Sequence, residues 1–393
     1  MISPDIKTFI ADHAEDNLER LALQAAKFPT IDMPFVLQQL KARRIAVQKI
    51  PTWASCDEIV YPKHLSMEQC SSEVTARFKS TLMRGDVLLD LTGGFGVDFF
   101  FMAQNAKRAI YVERQADLEQ IAAHNFRALR LHQAETHCED GVLFLKNLKT
   151  QVDTLFIDPA RRSGSGRKTV LLKDCDPDLT LIDNLLAEKS KQTIIKLSPM
   201  LDISSSVNSL KNISEVFVVA VQNEVKELLL RKAESEADRI IHALNFKTNG
   251  VAEIFSFSME EESLAVVGYA QQLQKHLFEP NASLLKAGAY KLIASRFSLQ
   301  KLHPNSHLYT SDALAPDFPG RSFEVVDSFS FSSSEIRRLR QITSKANLSV
   351  RNFPATVAEL QKKLKLTDGG DYYLFATTLA DNQKRLILTM KVD

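Results

Sequence analysis

The chain has 393 residues, 45% of them hydrophobic and 25% charged, with a formal net charge of +1. This is the balance of a folded protein of two or three domains, and it excludes a disordered chain. A near-zero charge also excludes a global basic field, so any polyanion site must be a local patch. Four cysteines (Cys56, Cys70, Cys138, Cys175) stand without C-x-x-C pairing, which points to reduced thiols and a cytoplasmic setting. The opening residues lack the basic start and apolar core of a secretory signal, and no apolar run nears the length of a membrane span.

Residues 1–64 read as a helical region. Asp32-Met33-Pro34 is a cap followed by an early proline, the order that starts a helix. Lys41, Arg43, Arg44 and Lys49 read as a solvated face. Ser66 and Gln69 fit a capping box for one helix running through Leu82. Its Glu68, Gln69, Ser71 and Ser72 are either a capped surface turn or part of a pocket at the first strand.

Val87-Leu88-Leu89 is a continuous apolar run, as in a parallel strand covered on both faces. Asp90 ends it, and Thr92-Gly93-Gly94-Phe95-Gly96 leads to Asp98 and an apolar helical stretch. This is a strand, a glycine loop and a helix. The spacing is not G-x-G-x-x-G, and no G-x-x-x-x-G-K-[ST] occurs, so neither phosphate-cradling fingerprint is met. A second strand, Ala109–Val112, ends in Glu113-Arg114, with Glu113 23 residues after Asp90. Glu139-Asp140 precedes an apolar helical start at Val142. Carboxylates at strand ends suit hydroxyl and amino groups rather than phosphates.

Val152–Ile157 reads as another buried strand, ending in Asp158-Pro159-Ala160-Arg161-Arg162. Proline lacks a donor and fixes φ, so the strand stops and Asp158 is held at its carboxyl edge, where open α/β sheets bind ligands. Asp158 there can accept a hydrogen bond from a target group, orient it and take its proton. Arg161 has two readings: a guanidinium stacked on a base or paired with a phosphate, or a structural ion-pair partner. Arg161, Arg162, Arg167, Lys168 and Lys173 stand without an acid from 159 to 173, around Ser163-Gly164-Ser165-Gly166. A basic, glycine-rich loop beside that edge suits a polyanionic substrate.

Two further strands, Thr193–Leu197 and Val216–Val221, carry Lys196 and, just past the second, Glu224 to the same edge as secondary substrate-site candidates. Phe255–Ser258 and Ala265–Tyr269 read as an antiparallel pair. From 276 the texture changes. Residues 276–325 read as a small module of about two strands and one helix, and 326–393 as strand, helix, strand, helix, strands. Residues 335–366 hold eight basic residues, among them Arg337, Arg338 and Arg340, against two acidic ones. This is the best nucleic-acid patch in the chain, set against the bland reading of a solvated helix face. His124, His132, His137 and Cys138 lack zinc-site spacing, so no metal is expected. The segment after Lys196, Leu197–Ile203, has no cysteine, which argues against a C5-pyrimidine mechanism and for direct attack by nitrogen or oxygen.

Asp90, Thr92, Gly94, Gly96 and Asp98 meet a D-x-T-x-G-x-G-x-D pattern. With Glu113-Arg114 and Asp158-Pro159 the segment 84–162 resembles class I S-adenosyl-L-methionine (SAM) methyltransferases, in particular the small-subunit rRNA guanine-N2 enzymes. The catalytic loop departs from theirs, since Ala160-Arg161 stands where they carry Met-Phe. Phe278–Ala282 and the closing Gly369-Gly370-Asp371-Tyr372-Tyr373 resemble bacterial methyltransferases with a THUMP-like domain. The resemblance implies an α/β fold: a Rossmann-like methyltransferase sheet (65–275), the helical region before it, a small α+β module (276–325) and a THUMP-like module (326–393). It implies SAM as cofactor, held by Asp90, Thr92, Gly93, Gly94, Gly96, Asp98, Glu113, Arg114 and Asp140. Asp158, Pro159 and Arg161 are then the catalytic loop, and Arg162, Arg167, Lys168, Lys196, Glu224, Arg337, Arg338 and Arg340 bind substrate. The implied activity is N-methylation of a base in rRNA or tRNA. The alternatives are a protein or small-molecule substrate, or an RNA-binding protein with an idle fold.

Overall fold

A computed structural model of the chain describes residues 3–62, 64–161, 171–233 and 238–392. Its strands are β1 (Val87–Asp90), β2 (Arg108–Glu113), β3 (Ala134–Cys138), β4 (Val152–Ile157), β5 (Ala160–Arg161), β6 (Cys175–Asp176), β7 (Ser190–Leu197), β8 (Ile213–Val221), β9 (Glu224–Ala233), β10 (Ile240–Phe246), β11 (Ala252–Ser258), β12 (His276–Pro280), β13 (Gln300–Lys301), β14 (Tyr309–Ser311), β15 (Gly320–Ser330), β16 (Asn347–Arg351), β17 (Tyr372–Thr378) and β18 (Lys384–Val392). The chain divides into two compact units, Met1–Val216 with Glu227–Asp238, and Phe217–Lys226 with Arg239–Asp393.

In the first unit the sheet order is β9-β7-β4-β1-β2-β3. The neighbours from β7 to β3 are parallel, and β9 is antiparallel to β7. Register decides where the chemistry falls. Asp90 pairs with Phe156 of β4 and Tyr111 of β2, and Ile157 pairs with Ile195 of β7. Asp90, Glu113, Asp158 and Lys196 therefore all arrive at the carboxyl edge of one parallel sheet. Leu88, Leu89, Ile110, Val112, Leu155, Ile157, Ile194 and Ile195 are buried. Each such side chain contributes about 1.5–3 kcal/mol on leaving water. The helix Val97–Ala103 is buried along its whole length, which explains its run of three phenylalanines. Trp53, fully buried, packs edge-on against Phe95 and Phe100 at 4.8 and 5.6 Å. The amino-terminal helices thus back the glycine loop. Asp32 caps the helix Met33–Lys49 by accepting from Phe35 N at 3.1 Å, as its sequence suggests.

The single helix expected up to Leu82 is two helices, His64–Gln69 and Glu73–Thr81. Ser66 lies inside the first rather than before it. Ser72 caps the second, accepting from Thr75 N, while Ser71 turns its hydroxyl to Asp98 at 2.7 Å. A serine pair that satisfies a new helix start and a buried acid outweighs helix continuation.

In the second unit β10 lies between β11 and β8. The strand expected at 265–269 is absent. β11 pairs antiparallel with β10 instead, and Met259–Leu264 is a helix. Its start is a Ser258/Glu261 capping box, with Ser258 Oγ accepting from Glu261 N at 3.1 Å and Glu261 accepting from Ser258 N at 2.7 Å. The sequence S-M-E-E carried that signal, and the reading passed over it. A second sheet has the order β13-β14-β12-β15-β18-β17-β16. Period-two alternation gives it two packed faces. Leu374, Ala376, Leu386 and Leu388 join Phe329, Leu339 and Leu360 on one face, and Phe375 and Ile387 join Leu277 and Phe323 on the other. The segment 276–325 holds more than the two strands and one helix expected: β12, β13, β14, the start of β15, and the helices Ala282–Ala287 and Leu292–Arg296. From β15 onward the order is strand, helix, strand, helix, strands, as the sequence suggests. Among the described residues no helix is long and apolar enough to cross a membrane.

Candidate active site

The glycine loop is built by close packing against β2. A Cβ at Gly93 would stand 2.1 Å from the Tyr111 ring, and Gly96 has φ +86° with a Cβ position 2.6 Å from Phe126. Gly94 differs, because beyond its own loop's Thr92 carbonyl the space where its side chain would stand is open. Tyr111 donates its hydroxyl to the Gly94 carbonyl at 2.5 Å, and burial pushes that phenol well above its usual range. Glu113 braces the loop from β2. One carboxylate oxygen accepts from Gly94 N and the other from Gln115 N, both at 2.8 Å. Each oxygen keeps a lone pair for a second donor. Asp140 caps the helix Gly141–Asn147 through one oxygen, accepting from Leu143 N at 2.9 Å. Asp90, 2% exposed, accepts from Thr92 N at 2.9 Å. Burial holds its carboxyl well above the ordinary range; that single amide bond opposes the shift, and the charges of Asp98, Asp158 and Glu113 reinforce it. An acid in that state is stabilised by an incoming cation.

The second loop is tied to the first. Asp158 N donates to Thr92 Oγ1 at 2.7 Å, so Thr92 joins the two loops. Pro159 is buried directly behind. Asp158 Oδ2 accepts from Lys196 Nζ at 2.6 Å, and its side chain is 38% exposed. Lys196 also reaches Ser71 Oγ at 3.1 Å and Asp98 Oδ2 at 3.4 Å. Behind it lies Lys79, fully buried, with Nζ 2.5 and 2.7 Å from the two oxygens of Glu227, 3.1 Å from Ser71 Oγ and 3.1 Å from Asp98 Oδ1. The result is a chain of alternating charge, Glu227–Lys79–Asp98–Lys196–Asp158, with Ser71 at its middle and one open end at Asp158. Burial alone would raise the Asp98 carboxyl, but Lys79, Lys196 and the Ser71 hydroxyl outweigh it and hold it below its usual value. Burial likewise works against the Lys196 ammonium, and Asp158, Asp98 and Glu227 overcome it, holding its pKa well above normal. Lys196 is therefore a fixed cation at neutral pH.

The structure brings Asp90, Thr92, Gly93, Gly94, Gly96, Asp98, Glu113, Asp158, Pro159 and Lys196 to one edge. Arg114, expected at the cofactor, instead pairs with Asp176 of β6 at 2.7 Å. β6 is antiparallel to β5, so Arg114 anchors the strand pair that follows Asp158. Arg162, Arg167 and Lys168 lie outside the described residues, as does the Arg161 side chain. Glu224, in the second unit, is mostly exposed and pairs with Lys226 at 2.6 Å. In the carboxy-terminal module Arg338 pairs with Asp327 and Glu335 and covers the Phe329 ring at 4.6 Å. Arg340 donates to the Leu364 and Lys363 carbonyls at 2.9 and 2.5 Å. All three arginines are exposed, but Arg338 and Arg340 are tied to groups of the module itself.

Lys79 and Glu227 were missed by sequence reasoning. Their signals were present: a lysine on the helix face that also carries Thr75 and Ala76, and a lone acid before the apolar run Leu228-Leu229-Leu230. Neither signal names the other residue.

Two family models match the carboxy-terminal residues, a ferredoxin-like domain over 276–319 and a THUMP domain-like family over 320–391. A solved structure from Porphyromonas gingivalis W83, named for methyltransferase activity, is 36% identical, with a TM-score of 0.90. The match covers 99% of this chain and 98% of that one. An rRNA methylase from Streptococcus thermophilus is 13% identical over 41% of this chain and 95% of its own, with a TM-score of 0.31. A Streptococcus mutans protein named in the same way as the first, solved with SAH, is 14% identical over 40% and 94%, with a TM-score of 0.30. No curated protein sequence matches the chain. The P. gingivalis match spans both chains almost entirely, so this protein belongs to the same methyltransferase family, one that ends in a ferredoxin-like and a THUMP-like module.

Proposed function

We propose that this methyltransferase uses SAM to methylate a nucleotide of rRNA or tRNA by direct in-line transfer. The observation that carries the reading is the shared sheet edge, where Asp90 and Glu113 flank the glycine loop and Asp158 keeps one carboxylate oxygen open. The residues fit the cofactor. Asp90 is a buried acid in want of a cation. Gly94 leaves open space beside the loop. Glu113 and Asp140 retain acceptor capacity for ribose hydroxyls and an adenine amine. When bound, SAM supplies an electrophilic methyl on a sulfonium, and the chain supplies alignment. On this reading residues 65–275 are the methyltransferase domain, preceded by the helical region 1–64 and followed by the modules 276–325 and 326–393.

RNA is supported by the THUMP-like match and by the basic residues of 335–366. Asp158 Oδ1 suits the expected N–H of a base, guanine N2 among the possibilities. Arg161, Arg162, Arg167 and Lys168 are proposed to meet phosphates beside it. The test is methyl-labelled SAM offered with RNA, protein and small-molecule fractions from a strain lacking this gene. Label in RNA is expected. Label confined to another fraction overturns the RNA reading. Asp158→Ala should abolish turnover and leave SAM binding within a few-fold, and retained turnover would remove Asp158 from the reaction.

A further inference from the structure

Three features at the acceptor edge bear on which atom receives the methyl. First, a cation with 13% of its side chain exposed touches the open carboxylate: Lys196 Nζ lies 2.6 Å from Asp158 Oδ2. Second, that cation is held from behind by Asp98 and the Ser71 hydroxyl, and Asp98 also serves Lys79, which Glu227 grips with both oxygens. Third, the residues after Asp158-Pro159 are Ala160, Arg161 and Arg162, so the loop offers no aromatic ring to stack a base turned out of its helix.

These features weigh differently for the two acceptors. A neutral exocyclic amine gains positive charge as the methyl arrives, and a fixed ammonium behind the accepting carboxylate opposes that. A hydroxyl that gives up its proton carries negative charge on the way to the ether, and the same ammonium stabilises it. A ribose also needs no stacking platform, and the 2′-hydroxyl is the hydroxyl that an internal RNA nucleotide displays.

We propose that the acceptor is a ribose 2′-hydroxyl of the RNA, with Asp158 taking its proton and Lys196 positioning Asp158. This rests on the RNA reading above and replaces the base nitrogen with an oxygen. The hydroxyl oxygen forms the new C–O bond as the S–CH3 bond breaks and its electron pair remains on sulfur. The hydroxyl proton passes to Asp158 Oδ1 and then to water. Lys196 stays protonated throughout. Its ammonium fixes Oδ2, leaving Oδ1 to face the substrate. The charged groups around Asp158 are Lys196 on β7, Asp98 and Asp90 on the glycine-loop elements, and, behind them, Lys79 and Glu227.

The experiment labels RNA from the deletion strain with methyl-tritiated SAM and then hydrolyses it with alkali. A 2′-O-methyl group blocks cleavage of the neighbouring phosphodiester, so the label is expected in alkali-stable dinucleotides. Label in mononucleotides marks a methylated base and overturns this proposal while leaving the RNA reading intact. Label in protein or small molecules, or in no fraction, overturns both. Lys196→Met should lower kcat about 10²–10³-fold, and Lys196→Arg should recover part of it. A second readout separates position from binding: Lys196→Met should lower kcat while leaving the KM for SAM within a few-fold. A KM that rises as far as kcat falls would remove the positioning role.

Discussion

Replacing Lys79 with Met tests the buried charge chain directly. The side chain is fully buried, contacts both oxygens of Glu227 and lies 3.1 Å from Asp98. The substitution keeps the volume and removes the charge, leaving two buried carboxylates to share Lys196. Breaking a buried pair from one side costs about 3–5 kcal/mol. For a unit of this size, at roughly 2–4 °C per kcal/mol, that is a fall in Tm of about 6–20 °C. The deficit should depend on pH, and its sign follows from linkage. In the wild type the depressed Asp98 carboxyl gives stability that is present above its unfolded pKa and is lost as pH falls through the folded value. In Lys79→Met the Asp98 carboxyl loses its strongest countercharge and burial raises it instead, so the native state binds the extra proton and the variant recovers as pH falls from 8 to 5. Adding Glu227→Gln should restore part of the loss. The assay is chemical or thermal unfolding across that pH range, with SAM binding followed in parallel. A deficit below about 1 kcal/mol, or one flat with pH, would refute the reasoning, because it would mean the lysine is not the countercharge of buried acids.

Arg340→Ala and Arg337→Ala should separate structure from recognition. Arg340 caps the end of the helix Val357–Leu364, so its loss should cost about 1–3 kcal/mol of stability. The exposed Arg337 should leave stability unchanged and make the salt dependence of RNA binding shallower by about one unit per lost contact; the reverse pattern would exclude the assignment. Gly93→Ala places a methyl 2.1 Å from the Tyr111 ring. It should displace the loop, weaken SAM binding at least tenfold and cost about 1–3 kcal/mol, as read by calorimetry; near-normal affinity would contradict the packing role. His307 stacks on Tyr290 at 3.7 Å, and burial, helped by the nearby Lys301 charge, lowers its pKa to about 4. The unfolded chain binds the proton first, so the second unit should lose stability as pH falls from about 6.5 towards 4. His307→Gln should flatten that slope, and an unaltered slope would place its origin elsewhere.

Much of the first unit's site was legible because its signals are local. Strands β1, β2 and β4 each announce themselves as an apolar run ended by an acid, so Asp90, Glu113 and Asp158 could be placed at one edge from the sequence alone, whereas β3, Ala-Glu-Thr-His-Cys, carries no such run and was missed. The glycine loop was legible for the same reason, although Gly93 and Gly96 serve packing on Tyr111 and Phe126. What sequence reading missed depends on partners far apart. Lys79 and Glu227 are 148 residues apart, and only the fold brings them together. Arg114 sits beside Glu113 in the motif but is claimed by Asp176. Arg338 and Arg340 carry charge that reads as an RNA face, yet one covers Phe329 and the other binds carbonyls. Composition counts charges; it does not say which of them the fold has already used.

The strand β15 has a practical consequence. Its first residues, Gly320–Glu324, pair along the whole of β12, and from Ser322 onward it pairs with β18. The two family matches meet at residue 320, the first residue of this strand, so the boundary runs between β12 and the partner it pairs with. The boundary between the modules is thus a line in ancestry and not a seam in the fold. A chain cut there would leave the buried strand His276–Pro280 with one flank bare, a template for edge-to-edge association. The two modules should exchange their amide protons as one cooperative block. A truncation at residue 320 that abolished activity would therefore say nothing about RNA, since it would report first on an orphaned edge.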